Sequence, residues 1–511
     1  MKKIKIFSAL LLMPLAWAAA QTYPDIIGKV VFGYQGWFSC PGGAGWGTNW
    51  THWSNGAPTG TNMYVDFYPD LTEFPVAQLC RTNMTVGGQT AYLYSPQTAP
   101  VVDRHFQWMQ TYGLDGVLLQ RFVNDIPGKK ATGDTVLKNV RNGANKYGRG
   151  FAIEYDISGV AANNIVTQIQ TDWMYLVDQM RVTTQPSYFH HNGLPVVAVW
   201  GFGLNDGNHP ATPAITQSLI QWFRRGAAPQ YRAYFIGGVA SWWRSLTNDA
   251  YTDPAWNAVY DSMDVVQPWN VGRYNSIATA DNWYNINMIP DNVRVQSKGH
   301  AYQPVIFPGF SWHNLQGTAV LNQIPRLSGQ FVWEQALNAK RSGAPMLKIA
   351  MFDEVNEGTA MYKCAPRRRN APDQGTWVAF DADGDTTLPS DWYLRMGGVI
   401  TQVFKGIIPI TAAIPIRPQD PWVVGVESGT PKISDPGLTI SRFGSGILFT
   451  GTVPGVEIRI ADIRGRQVRK LRPTSDEIYW NGLDAGGNKL SQGVYFAQPA
   501  GKTGIRFFHS H

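Results

Sequence analysis

Eight short apolar runs recur between Val30 and Glu354: VVFGY (30–34), DGVLLQRF (115–122), FAIEYDI (151–157), PVVAVWG (195–201), YFIGGVA (234–240), DVVQPW (264–269), QPVIFPGF (303–310) and MLKIAMF (346–352). They are continuous rather than alternating, which predicts parallel strands buried on both faces. Between most of them the periodicity turns helical, in IVTQIQTDWMYLVDQM, AITQSLIQWFRR and FVWEQALNAKRSG, and DWYLRMGGVITQVFKG follows the eighth run. Eight such alternations predict an α/β fold, a (β/α)8 barrel with long strand-to-helix loops over 21–410. A doubly wound open sheet competes, but the count of eight favours closure. The connection starting at Gln35 is the longest and most aromatic.

Near Thr411 the texture changes. A Pro-rich stretch, PITAAIPIRPQDP, sits in a linker at 411–424 and leads into the runs WVVGVE, LTISRF, GILFTG, EIRIADI, EIYWNG and GVYFAQ. Turn signals between them predict a small all-β sandwich over 425–511. At the other end, Lys2, Lys3 and Lys5 precede an apolar stretch from Phe7 to Trp17 and the small residues Ala18 to Ala20. This reads as a signal peptide over 1–20, cleaved near Ala20, and predicts a secreted or cell-surface protein without a transmembrane segment.

The formal charge of +7 includes the three leader lysines, leaving +4 on the rest. So mild an excess gives no basis for a nucleic-acid partner. Of Cys40, Cys80 and Cys364, one pair can form outside the cytoplasm, with Cys40 and Cys80 favoured, and the odd count leaves one thiol over. No zinc spacing, HExxH or GxSxG elbow occurs, and no cofactor or metal is implied. Twenty Trp and 22 Tyr with 15% charged residues suit either a large aromatic core or a surface that packs on sugar rings.

A barrel places its chemistry at the C-terminal ends of its strands. There the sequence offers Tyr34; Glu154, Tyr155 and Asp156; Trp200; Trp269; and the stretch MLKIAMFDEVNEGT, where Asp353, Glu354 and Glu357 follow the last apolar run. Clustered carboxylates at a barrel mouth are what glycoside cleavage needs.

These residues and their order resemble glycoside hydrolase families 99 and 71, the endo-α-mannosidase and α-1,3-glucanase barrels, and within them a bacterial xylosidase/arabinosidase-like subgroup. The matching segments are GYQGWF, NWTHW, Tyr68-Pro69-Asp70-Leu71, HFQWMQTYGLDGV, AIEYD, FPGFSWHN, Arg326 to Gly329, and DEVNEGT (353–359) against a family signature NEWHEGT. The resemblance implies an endo-acting hydrolase of α-glycosidic bonds in a polysaccharide or oligosaccharide, and the long aromatic loops suit an open cleft. Glu357 would be the general acid/base. Glu354 would take the proton of the sugar 2-OH, whose oxygen then attacks C1. Glu154, Asp156 and Arg326 would hold sugar hydroxyls, with Tyr34, His52, Trp53 and Trp269 lining the cleft. The chain departs at Val355-Asn356, at Asp353 and at Gln120-Arg121, where the family carries Trp-His, Asn and a Trp pair. These departures reshape the subsites, so α-mannoside specificity does not transfer. A non-catalytic glycan-binding protein on the same scaffold is the alternative. The segment from Gly455 to His511 resembles the immunoglobulin-like flagellar-hook-cap and type IX secretion modules, through Asp462…Gly465-Arg466, Trp480-Asn481-Gly482, Asp484…Gly487 and Gly493-Val494-Tyr495. That likeness implies secretion or sorting machinery as a partner, with a carbohydrate-binding sandwich as the alternative for this region.

Overall fold

The structure is a computed structural model that describes residues 22–42, 49–422, 438–443, 446–463, 465–475, 477–500 and 505–509. The expected leader and most of the WVVGVE run lie outside the described residues. The chain divides into two units, 1–424 and 425–511.

The first unit is the expected barrel. Its parallel strands are β1 (Val30–Tyr34), β2 (Gly116–Phe122), β3 (Gly150–Asp156), β4 (Leu194–Phe202), β5 (Tyr234–Val239), β6 (Val265–Pro268), β7 and β8 (Leu347–Ile349). β7 comes in two pieces: Ala301–Tyr302 pairs with β6, and Val305–Ile306 pairs with β8. β8 pairs in turn with β1, so the sheet closes on itself. Pro304 sits at the break because it has no N–H to donate. The ladder is maintained on both sides, with Gln303 N donating to Val266 O at 3.0 Å and Lys348 N donating to Pro304 O at 3.1 Å.

The helices packed outside are α1 (Ala99–Tyr112), α2 (Ile126–Tyr147), α3 (Ile165–Asp178), α4 (Pro213–Gln221), α5 (Trp256–Tyr260), α6 (Ile277–Trp283), α7 (Ile289–Ser297), α8 (Gln330–Arg341) and α9 (Trp392–Phe404). α1 shows why such segments are helical. Proline lies in its first turn, its apolar stripe Val101, Val102, Phe106 and Met109 is buried, and Gly113 at φ 71° ends it. α2 has no matching expectation from periodicity, since few of its residues are apolar. Val136, Leu137, Val140 and Ala144 still give it a buried stripe, and Gly143 lets Phe106 approach to where a Cβ would stand 2.8 Å from its ring.

The long first connection holds an antiparallel hairpin, Cys80–Val86 with Gln89–Leu93, and Cys40 and Cys80 form a disulfide there with Cα atoms 6.3 Å apart. Cys364 is a buried free thiol. Among the described residues no helix is long and apolar enough to cross a membrane.

The barrel interior is not wholly apolar. Lys348 on β8 and Glu154 on β3 are both fully buried, and Lys348 Nζ lies 2.6 Å from each Glu154 oxygen. Gln120 Nε2 donates to Glu154 at 2.7 Å, Gln267 Oε1 accepts from Lys348 at 3.2 Å, and Gln267 Nε2 donates to Gln303 at 2.8 Å. Four strands and the β7 break are thus joined through one hydrogen-bonded chain.

The second unit holds two antiparallel sheets. β9 (Thr439–Phe443), β10 (Gly446–Thr450) and β13 (Glu477–Trp480) form one, in that order. The other has the order β12 (Gln467–Leu471), β11 (Ile458–Asp462), β14 (Gly493–Pro499), β15 (Ile505–His509). Phe449, Ile460, Trp480, Ala497 and Phe507 form its core. β12, QVRKL, is too charged to announce itself as a strand, yet Val468 and Leu471 turn inward. The sequence marks that resemble secretion modules include turn devices: Asp484 Oδ1 accepts from Gly486 N and Asn488 N, and Gly482, at φ 77°, leaves room for the His509 ring.

Two stability tests follow from this architecture. Lys348→Met strands a buried carboxylate and is expected to cost about 3–5 kcal/mol, whereas adding Glu154→Leu recovers most of the loss. Urea unfolding checks both, and a double variant no more stable than Lys348→Met contradicts the pairing argument. Replacing Cys40 and Cys80 by serine releases a loop of 40 residues, at an expected cost of about 2–4 kcal/mol in the same assay.

Candidate active site

β8 ends at Ile349, and the chain that follows is held at nearly every residue. Phe352 N donates to Gly33 O at 2.7 Å, Met351 N to Thr359 O at 3.1 Å, and Tyr362 N to Phe352 O at 3.0 Å. Asp66 N donates to Val355 O at 3.2 Å and Ser311 N to Glu357 O at 2.9 Å. Gly358 adopts φ 66° with its Cα packed so near Ser311 that a Cβ would stand 2.8 Å from Ser311 N. Only glycine fits both demands.

Three charged groups fix this loop. Asp353, which had no assigned role from sequence, is fully buried and accepts the Gln35 N–H at 2.8 Å and the Gly36 N–H at 2.9 Å. It thereby ties the β8 end to the β1 end, and burial pushes its carboxyl up to about 6 against those two bonds. Asp66 is fully buried and accepts from Ser311 Oγ, His313 N and Asn314 N, anchoring the loop after β7. Arg326 lies behind the loop, with Nη2 donating to Gly358 O at 2.8 Å and Ala360 O at 2.7 Å. The rings of Phe67 and Tyr393 flank its guanidinium at 4.5 and 4.4 Å. Its expected contact with sugar hydroxyls is therefore corrected: Arg326 is buried and supports the loop from the inside.

Glu354 and Glu357 emerge from this frame. Glu354 is 3% exposed and Glu357 is half-buried. Burial raises both carboxyls, Glu357 to about 7. Glu354 rises further, through burial first, then repulsion from Glu357, against hydrogen bonds from Gln35 and Thr359. Thr359 Oγ1 stands 3.4 Å from Glu354 Oε2. The deeper carboxyl, raised by burial and by its neighbour, is the one that holds a proton more tightly near neutral pH.

The other expected residues divide into two groups. Tyr34 and Trp53 are fully buried and do not line a cleft. Tyr34 stacks on Phe352 and its hydroxyl meets His105 Nδ1 at 2.9 Å, while Trp53 Nε1 donates to Tyr94 O at 2.9 Å. Their aromatic bodies have more to gain from the dense core around α1 than from water. Glu154 is likewise enclosed, its oxygens taken by Lys348 and Gln120, so it does not itself reach a sugar.

His52, Asp156 and Trp269 stand nearer the mouth. His52 is half-buried, stacks on Trp37 with centroids 3.9 Å apart, and is pushed down to about 4 by burial and by Lys129. Trp269 is half-buried and meets Trp200 edge-on at 5.3 Å. Asp156 is 7% exposed, accepts the Ser158 N–H at 2.8 Å and is raised to about 6, by burial first.

Lys348, Asp66, Gln35 and Trp37 escaped the reading of the sequence. Lys348 alone carried a signal, as a lone cation inside an otherwise apolar strand run, which folding must pair. Among the described residues no group of His, Cys, Asp and Glu could hold a metal ion.

No protein-family model matches the chain, and no curated protein matches it. Solved structures do. A GH99 endo-α-mannosidase from Bacteroides thetaiotaomicron is 15% identical, with a TM-score of 0.55, over 75% of this chain and 99% of that one. The same enzyme in complex with BIS-TRIS-propane gives 15% identity and a TM-score of 0.54, over 75% and 98%. A likeness at this identity establishes a shared barrel fold: the 1–424 unit is a (β/α)8 barrel of the kind that endo-α-mannosidase has.

Proposed function

We propose that this protein is a secreted glycoside hydrolase that cleaves α-glycosidic bonds within a polysaccharide, with Glu354 and Glu357 as its catalytic pair. The observation that carries the reading is the pair itself: two carboxyls raised by burial, Glu354 also by repulsion from Glu357, on a firmly held loop after the C-terminal end of β8. The resemblance to families 99 and 71 and the shared barrel fold support it.

Glu357, the more accessible member, protonates the departing glycosidic oxygen and later takes a proton from water. Glu354 accepts the proton of the sugar 2-OH, so that this oxygen attacks C1 from within the substrate. In the free site the shared proton favours Glu354. A sugar hydroxyl donated to Glu354 stabilises its ionised form and passes the proton preference to Glu357. Such acid–base help contributes about 10²–10⁴-fold. The opposite assignment, with Glu354 as acid, is favoured by its deeper burial and is the second reading. The 425–511 unit serves in sorting or surface attachment, a role supported by its resemblance to secretion modules.

Glu357→Gln separates the readings on paired substrates. With Glu357 as acid, it loses about 10²–10⁴-fold on a natural glycan but retains most activity on an aryl α-glycoside whose leaving group needs no proton. Retention of aryl-glycoside activity by Glu354→Gln instead reverses the roles. Zero turnover by the wild type over α-mannans, α-glucans, xylan and arabinan, with glycan binding intact, leaves a binding protein. The pH profile provides an independent check. The active form keeps one proton on the pair, so kcat/KM is expected to fall in acid, as pH drops through about 7 and Glu357 is protonated beside Glu354, and to fall again in alkali as the more strongly raised Glu354 loses its proton. A profile level from pH 5 to 9 contradicts the pair.

A further inference from the structure

In the loops that follow β3 and β4, three side chains stand in a hydrogen-bonded line that the glycoside chemistry does not use. Ser158 Oγ lies 2.9 Å from His209 Nε2, and His209 Nδ1 lies 2.9 and 2.8 Å from the two Asp206 oxygens. An ionised carboxylate only accepts, so Asp206 takes the Nδ1 proton and leaves Nε2 open to accept from the Ser158 hydroxyl. Burial alone would raise the Asp206 carboxyl, but hydrogen bonds from the His209 ring and the Asn208 N–H hold it below its ordinary value. Serine to imidazole to carboxylate, through those two nitrogens, is the arrangement that turns a hydroxyl into a nucleophile. It does so whatever the fold or the order of the residues along the chain.

The imidazole is locked in place. His209 is 3% exposed, meets Trp200 edge-on at 4.8 Å, and fills the space beside Gly201, where a Cβ would stand 2.6 Å from its Cδ2. Gly159 N donates to Asn208 O at 2.9 Å, which ties the two loops together next to the serine. Ser158 itself is half-buried, which leaves it open to a ligand. Its hydroxyl also reaches the Asp156 carboxyl, but that group is already engaged by the Ser158 N–H at 2.8 Å. Gly159, at φ 68°, leaves a gap beside the serine: from where its Cβ would stand, Asn208 Oδ1 is 3.5 Å and Asn124 Nδ2 is 3.6 Å away. Asn124 is exposed, and its amide is the donor that faces a carbonyl oxygen seated in that gap.

We infer that Ser158, His209 and Asp206 form an ester-cleaving site that removes short acyl groups, acetyl above all, from the hydroxyls of a sugar. Ser158 Oγ bonds to the acyl carbon as its proton passes to His209 Nε2, and Asn124 Nδ2 donates to the oxygen that gains the charge. The bond from the acyl carbon to the sugar oxygen breaks as His209 returns the proton to that oxygen. Water then adds to the acyl carbon by the same route, and the free acid leaves with Ser158 restored. The acyl transfer is independent of Glu354 and Glu357. Only the sugar part of the substrate rests on the glycan-acting reading, since both sites follow the C-terminal ends of barrel strands.

The full-length protein is assayed for acetate release from acetylated xylan, acetylated mannan and glucose pentaacetate, and for labelling by a fluorophosphonate probe. Acetate release is expected, with the label on Ser158 when located by peptide mass spectrometry. Ser158→Ala is expected to lower ester hydrolysis by about 10²-fold or more and to take up no label. Asp206→Asn, at an exposed position that spares the fold, lowers it by about 10-fold or more. Thermal melts establish that both variants are folded, and the wild-type label carries the test by itself should a variant fail to fold. The inference is overturned if none of the three esters releases acetate, if the label sits on another residue, or if either variant hydrolyses the esters as the wild type does. Failure of the hydrolase reading shows differently, as ester hydrolysis without cleavage of any glycan.

Discussion

The contact between Lys348 and Glu154 is the constraint on which the barrel depends. Two charges without solvent contact, on strands far apart along the chain, hold only while each satisfies the other. Their bond connects β3 to β8 through the barrel's middle, and Gln120, Gln267 and Gln303 saturate what remains. Because Lys348 must stand at that depth, β8 enters at a set height, and the acidic loop after it begins where the strand can carry it no further. The same bond removes Glu154 from the surface, with Gln120 bonded to its other side.

Above this layer the site is built by fastening a loop rather than by shaping a strand. Asp353 reaches the β1 end, Asp66 fastens the β7 loop, and Arg326 takes two carbonyls from behind. None of the three faces a substrate in this arrangement. Their effect is that Glu354 and Glu357 stand on a backbone with little freedom to move apart, which keeps their mutual repulsion, and with it the raised carboxyls, in place. Preorganised charge of this kind costs no rearrangement when the reaction calls on it.

Much of this was legible in the residues. Glu354 and Glu357 were placed at the mouth by counting strands, and the eight runs became eight strands with small shifts at their ends. What misled was polarity at strand termini. Tyr34 and Trp53 share the aromatic character of cleft residues, yet the hairpin and α1 cover them, and nothing local records that cover. Arg326 looked like a hydroxyl-binding cation but found backbone carbonyls and rings. α2 and β12 were missed because a few apolar residues at the right spacing are enough for burial when neighbours supply the rest.

The sequence by itself determined the alternation of strands and helices, the order in which carboxylates reach the mouth, and the change to a small β unit after the proline-rich stretch. These follow from local periodicity, which each segment carries whole. Only the tertiary structure decided which of the polar groups face a ligand and which face one another. Gln35 N meets Asp353 across 318 positions, and Lys348 meets Glu154 across 194. Such pairings depend on the closure of the barrel, where distance along the chain no longer measures distance in space.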